Sequence, residues 1–416
     1  MNVRYLWVLT FVGTCSLAPC GHAAELLRLD DAVRKALQSN PAIAAETARL
    51  ESVRNRAARE GMPTQYTVGG EFENAVGTGS LSGINAAETT LRVGRLFELG
   101  GKRAARQTLG TAESQLQRSA VDVARLDVMQ LTASRYIRVL ADEHEVEHTA
   151  ERVQQAERTR AEVARWVRAA RNPDSDLRTA ELALAEGELA HAQAKQALIA
   201  SKAALVASWG GSDLDVTVSE DGLAELPEVE GFETLAARLP ATPDQQMAQQ
   251  SARAISARRA VAVASGRPDL SVTLGVRRLE ALDDQGLVMS VSMPLGSRKR
   301  AAYSIAEADA DLAALDGTRE SNRLVQRQLL FETYQQLQQV RLEVEAIRTV
   351  MLPKAGDAVS ITRRGFDAGR FSFLLLAQAE RAQFDLRARE IEASARYHTL
   401  FVDIERLTAP LSDSFL

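Results

Sequence analysis

His144-Glu145-Val146-Glu147-His148 is the stretch of this sequence that has the form of an enzyme motif. On a helix, histidines four apart share one face, and a glutamate between them can act as general base beside zinc. The neighbours argue against that chemistry. Asp142 and Glu143 precede the pair and Glu151 follows, which is the composition of a solvated face. A catalytic zinc also needs a third protein ligand in a dry, shaped pocket, and the chain has only five histidines to supply one. The expectation is a solvated coiled-coil face, with no catalytic residue and no cofactor; a metal held by His144 and His148 is the weaker alternative. Gly100-Gly101-Lys102 lacks the spacing of a phosphate-binding loop. A formal charge of −5 without a basic block offers no nucleic-acid surface.

The helix that carries this motif is itself the larger feature. A polar, alanine-rich run covers residues 102–168 with Gly110 as its interior glycine; at ~1.5 Å per residue it spans roughly 100 Å. In front of it, Thr90 to Leu99 alternates with a period of two, so strand periodicity gives way to helix periodicity at Gly100-Gly101. A second alternating stretch, at 64–76, places Tyr66, Val68, Gly70 and Phe72 on one face and Thr67, Gly69, Glu71 and Glu73 on the other. With 89–99 it makes a hairpin. A helix from about Asp30 to Glu60, interrupted at Pro41, comes before the hairpin. A return helix over 176–209 follows a turn at Asn172-Pro173-Asp174-Ser175.

The plan then repeats. Residues 25–209 form the first unit, 210–231 an acidic linker, 232–408 the second unit and 409–416 a tail. The second unit has a helix interrupted at Pro240–Pro243, strands at 268–279 and 286–295, a long helix over 298–364 and a return helix over 372–407. Gly296-Ser297 matches the Gly100-Gly101 corner, and Gly365 to Ser372 supplies the second turn. Apolar steps of three and four, Leu109 to Val123 and Leu330 to Ile347, form coiled-coil seams. In each unit the two shorter helices together match one rod, so they stack end to end beside it.

Residues 1–24 have the anatomy of a secretory signal: Arg4, an apolar core over Tyr5 to Gly13, and a small-residue exit at Gly21 to Ala24. Leu17-Ala18-Pro19-Cys20 also has the form of a lipoprotein signal, which leaves two processing routes open, one of them with acyl chains on Cys20. Both cysteines, Cys15 and Cys20, fall in or beside this segment, so the mature chain has no disulfide framework. No later run of ~18 apolar residues could cross a bilayer as a helix, and strands are the other route across. Each alternating stretch has the length a tilted membrane strand needs. Four strands cannot close a barrel, whereas three chains would supply twelve. Arg92, Arg95, Glu71, Glu73 and Arg277 then suit a watery lumen behind a lipid-facing side. Lys102, Arg103, Arg298, Lys299 and Arg300 gather at the strand-to-helix corner, either for solubility or as an anchor at membrane headgroups.

The order of these elements resembles the TolC-type outer membrane factors. The likeness rests on the duplicated plan, on Leu99-Gly100-Gly101-Lys102-Arg103-Ala104 with its partner at Leu295, on Gly365-Phe366-Asp367-Ala368-Gly369-Arg370-Phe371-Ser372, and on Leu29 to Pro41. The compact size and short loops look most like members that serve cation or heavy-metal pumps. The resemblance implies a mainly α protein with a small β part: a homotrimer whose twelve-stranded barrel sits in outer-membrane lipid and continues into a twelve-helix periplasmic tunnel. It further implies docking to a periplasmic adaptor and an inner-membrane efflux transporter. Asn172, Pro173, Asp174, Ser175, Gly365, Asp367, Gly369, Arg370 and Ser372 would then be the periplasmic tip, and Gly100, Gly101, Gly296 and Ser297 the barrel-to-helix corner. Acidic residues line the entrance in many members; here Leu375 and Gln378 stand at those places, with Asp367, Asp174 and Asp176 as the nearest acids. The competing reading is a periplasmic coiled-coil or adaptor protein without a pore.

Overall fold

The computed structural model describes residues 26–219 and 222–409; the expected signal peptide with its candidate lipidation site Cys20, and residues 410–416 of the tail, lie outside them. Strand β1 (Leu26–Leu27) leads into helices α1 (Leu29–Ser39) and α2 (Pro41–Glu60). Pro41 has no N–H to donate, so a new helix begins there, and the Asn40 side chain caps it by accepting from Ala42 N at 2.8 Å. Strands β2 (Tyr66–Glu73) and β3 (Glu88–Phe97) precede the rod α3 (Lys102–Arg168), and α4 (Asp174–Val206) returns along it. After β4 (Thr217–Val218) the order repeats: α5 (Phe232–Ala236), α6 (Pro243–Ser265), β5 (Leu270–Leu279), β6 (Asp284–Ser292), α7 (Ser297–Ala346), α8 (Leu352–Asp367) and α9 (Phe373–Thr408).

The second rod departs from the uniform helix expected over 298–364. A π-helical segment at Ile347–Met351 separates α7 from α8. Pro353, at the start of α8, cannot donate to the preceding turn and its ring crowds the carbonyl there; the wider π turn absorbs that conflict.

α3 packs against α2, α4, α6 and α9, and α7 packs against α6 and α9. The shorter helices meet end to end beside the rods. Asn40 Nδ2 donates to the Ser208 carbonyl at 2.8 Å where α2 meets the end of α4, and Arg406 Nη1 donates to Asp244 at 2.8 Å where α6 meets α9. Gly110 marks a close approach of α3 to α2: a Cβ there would sit 2.5 Å from that of Ala57. Half-way along the rods, β1 pairs in parallel with β4, and Leu27 and Val218 pack on Tyr136, Ile137 and Leu140. Two buried tyrosines bind this region to the helices, Tyr136 of α3 donating to Leu27 O at 3.0 Å and Tyr397 of α9 to Pro227 O at 2.5 Å.

The long strands form one antiparallel sheet in the order β2-β3-β5-β6. The two hairpins are thus joined through β3 and β5, and both outer edges remain open among the described residues.

Candidate functional site

Residues directly opposite each other in an antiparallel pair share a face. The register therefore sorts the sheet. One face carries Tyr66, Val68 and Phe72; Leu91, Val93 and Phe97; Leu270, Val272, Leu274 and Val276; and Leu287, Met289 and Val291. Val68 and Leu287 are each 80% exposed, so this apolar face lacks cover from within the chain. The opposite face carries Thr67, Glu71, Glu73, Arg92, Thr90, Thr273, Arg277 and Ser290. There Arg92 pairs with Glu71, and Arg277 reaches Glu88 at 2.8 Å, Glu73 at 3.3 Å and Thr90 Oγ1 at 3.0 Å. Gly94 and Gly275 also lie on this face; at Gly275 a Cβ would come within 2.6 Å of Leu91 O, so only glycine allows β3 and β5 to pair so closely.

Arg95 departs from the expectation that grouped it with these charges. Arg92 and Arg95 are three apart on an extended chain and so point to opposite faces. Arg95 lies on the apolar side, its guanidinium 4.7 Å from the Tyr66 ring centroid and 5.6 Å from that of Phe97, and Nη1 donates to Tyr66 Oη at 2.9 Å.

At the corner the chain turns from sheet to rod through left-handed backbone at Gly100 (φ 83°) and Gly101 (φ 73°), and again at Gly296 (φ 89°), with Ser297 opening α7. Two ion pairs fasten the first corner. Lys102 Nζ meets Asp269 at 2.7 Å, and Arg106 holds Glu98 in a two-pronged contact at 2.6 and 2.8 Å. Hydrogen bonding to Arg106 keeps the Glu98 carboxyl below the usual carboxylate range. Arg103 donates to Gly61 O at 2.8 Å. The basic cluster read from the sequence thus divides into Lys102 and Arg103, bound inward, and Arg298, Lys299 and Arg300, which are exposed and lack an ion-pair partner among the described residues.

At the far end both hairpins close with the same hydrogen-bond pattern. Arg370 N donates to Gly365 O and Gly369 N to Phe366 O, each at 2.8 Å; Arg171 N donates to Trp166 O and Ala170 N to Val167 O, each at 2.9 Å. Both are Schellman closures with the turning residue left-handed: Gly369 at φ 68° and Ala170 at φ 55°. Gly365 lies under the Phe371 ring, whose nearest carbon would be 2.1 Å from a Cβ. Asp174 opens α4 after Pro173 and Ser175 follows it; Asn172 Nδ2 donates to Asp176 at 2.7 Å. Asp367 ends α8 and Ser372 precedes α9. Trp166, Phe366, Phe373, Val163 and Leu376 form a small core behind these turns. Just above, Arg363 of α8 binds Glu380 of α9 and Glu162 of α3, and Gln155 donates to Glu380 at 3.1 Å. This three-helix network escapes sequence reading because its members come from three separate parts of the chain.

The two histidines of the His-Glu motif sit in different surroundings. His148 is buried rather than solvated as expected: its Nε2 lies 3.0 Å from the Phe384 carbonyl of α9, a contact in which the ring nitrogen must donate. Burial pushes the His148 pKa down, with the Phe384 bond acting against it, and burial pushes the Glu145 pKa up. His144 remains half-buried, and no group of three or more possible metal ligands occurs among the described residues.

No protein-family model matches the chain. It is similar to the cobalt-zinc-cadmium resistance protein CzcC of Cupriavidus metallidurans, with 25% identity over 314 residues that cover 75% of this chain and 74% of that protein. Among solved structures, CusC, described in terms of transmembrane channel formation, superposes with a TM-score of 0.78 at 14% identity and covers 92% of each chain. The outer membrane protein VceC of Vibrio cholerae gives 0.75 at 16% identity, covering 92% of this chain and 96% of its own. Duplicated rods, a sheet with one bare apolar face and paired tips thus place this chain in the fold of the TolC-type outer membrane channels.

Proposed function

We propose that the protein is the outer-membrane channel subunit of a tripartite efflux pump, a passive duct that extends into the periplasm. The observation that carries this reading is the sheet. It has an exposed apolar face, a charged opposite face and two open edges, so it is one third of a closed wall, seeking like neighbours. Three copies pairing β6 with β2 of the next would close a twelve-stranded barrel, apolar face to lipid and the Arg92 and Arg277 face to water. The rods would continue it as a tunnel roughly 100 Å long.

In this reading the tips are the entrance. Asn172 to Ser175 and Gly365 to Ser372 would meet a periplasmic adaptor, and an inner-membrane transporter would supply energy and cargo. CzcC is a cobalt-zinc-cadmium resistance protein, which favours heavy-metal cations as the cargo class. A duct needs no reacting group, and no role for the His144 motif enters this reading.

Fractionation tests it. The expected result is a trimer in outer-membrane extracts that resists detergent until heated and conducts ions in a planar bilayer. A monomer recovered from the soluble periplasm would overturn the proposal.

A further inference from the structure

We propose that Arg95, held between Tyr66 and Phe97 on the apolar face, binds the phosphate of an anionic phospholipid in the leaflet nearest the helices. This rests on the reading of the sheet as membrane wall. Arg95 lies one row in from Phe97, two residues or about 7 Å from the helix end of β3. Its cross-strand neighbours are Tyr66 and Val272, with Val291 beyond, and the adjacent rows supply Val93, Leu274, Phe97 and Leu270. No carboxylate stands in these rows on that face. The guanidinium has no ion pair among the described residues, and its buried Nε lacks a hydrogen-bond partner. The two rings and the Tyr66 hydroxyl hold the group along the wall without neutralising it.

A cation on a lipid-facing surface reaches for the headgroup layer, and a guanidinium matches a phosphodiester as a two-pronged donor. Below it, at the start of α7, Arg298, Lys299 and Arg300 are exposed, while the acids of the first corner, Glu98 and Asp269, are engaged by Arg106 and Lys102. The helix end of the sheet therefore presents uncompensated positive charge. At the loop end, Arg278 on the same face is tied to Glu280 at 2.7 Å and Asp283 at 3.0 Å. This asymmetry points to one leaflet.

The test uses the full-length mature protein in detergent and in nanodiscs, with phosphatidylglycerol and phosphatidylcholine as probes and native mass spectrometry as the readout. Wild type should retain phosphatidylglycerol over phosphatidylcholine, and inorganic phosphate should not displace it. Arg95→Gln should weaken phosphatidylglycerol retention about fivefold, from roughly 1 kcal/mol per basic residue at a charged surface. Arg278→Gln should leave it unchanged. Equal retention of the two lipids by wild type, displacement by inorganic phosphate, or equal losses in Arg95→Gln and Arg278→Gln would overturn the assignment. If Arg95→Gln fails to assemble, Arg95→Lys keeps the charge but loses the two-pronged geometry, and full retention there would count against it. Flotation of wild type with liposomes is scored separately: failure to float defeats the channel reading, whereas flotation without lipid preference defeats only this inference.

Discussion

Trp166 of the first hairpin and Phe366 of the second stack with ring centroids 4.5 Å apart and planes 22° from parallel. Phe373 lies against the same pair, 5.8 Å from Phe366. This contact ties the tip of one repeat to the tip of the other. Truncating Phe366 to Ala should cost about 3 kcal/mol locally, as for other buried aromatics. Because the rods above have their own contacts, the loss should stay local. Hydrogen exchange should quicken over 160–176 and 361–376 while the rest of the rods keeps its protection. Uniform loosening of the whole chain would show that the tips are not a separate unit.

Ala170 and Gly369 occupy the same left-handed place in the two Schellman turns. A side chain there costs about 1 kcal/mol. Ala170→Gly should therefore slow exchange at Arg171 N and Ala170 N by relieving strain, although glycine's freedom in the unfolded chain offsets part of the gain. Gly369→Ala should act in the opposite sense at Gly369 N and Arg370 N. Equal and opposite shifts in the two protection factors would confirm that the turns are equivalent.

Met289 and Ser290 are adjacent on β6 and belong to opposite faces. If the apolar face meets lipid as proposed, lysine at Met289 would be buried in it near mid-sheet, at about 2–4 kcal/mol, whereas at Ser290 it would meet water. Met289→Lys should reduce insertion into liposomes and the yield of trimer, and Ser290→Lys should leave both near wild type. Reversed outcomes would require the sheet to be turned inside out.

His148 gives stability a pH dependence of definite sign. Burial lowers its pKa below the ordinary 6.5, so the folded state favours the neutral ring. That stability is fully present above 6.5 and is lost as pH falls through the window between 6.5 and the lowered folded value. His398, also depressed by burial, contributes in the same direction. Glu145, raised by burial, acts oppositely and loses stability as pH rises above its ordinary 4.5. His148→Gln can still donate to Phe384 O but does not titrate. Its denaturation midpoint should fall less than that of wild type between pH 7 and pH 5.5, and an unchanged slope would remove His148 as the source.

Periodicity alone decides much of this protein, because it is a local property. Alternation over Tyr66–Glu73 and Glu88–Phe97 fixes which residues can share a face, and the step to helix spacing at Gly100-Gly101 places the corner. The run of residues without a stop from Lys102 to Arg168 dictates a rod. Duplication supplies the second copy of each. Even the face of Arg95 follows from its parity with Val93 and Phe97, although its charge invites grouping with Arg92.

Partners distant in sequence had to await the tertiary structure. His148 appears solvated beside Glu147 and Glu151, yet Phe384 of another repeat covers it. Arg348, inside the π turn, grips Glu390 at 2.6 Å, Ser394 at 3.1 Å and the Ala224 carbonyl at 2.5 Å; its local sequence gives no hint of this hub. The joining of the hairpins through β3 and β5 leaves no local mark either, since open strand edges can pair in more than one order. The His144 motif shows the division most plainly. Spacing on one helix can present two ligands and a base, but only packing against a second helix decides whether a ring nitrogen faces a metal or a carbonyl, and here α9 supplies the carbonyl.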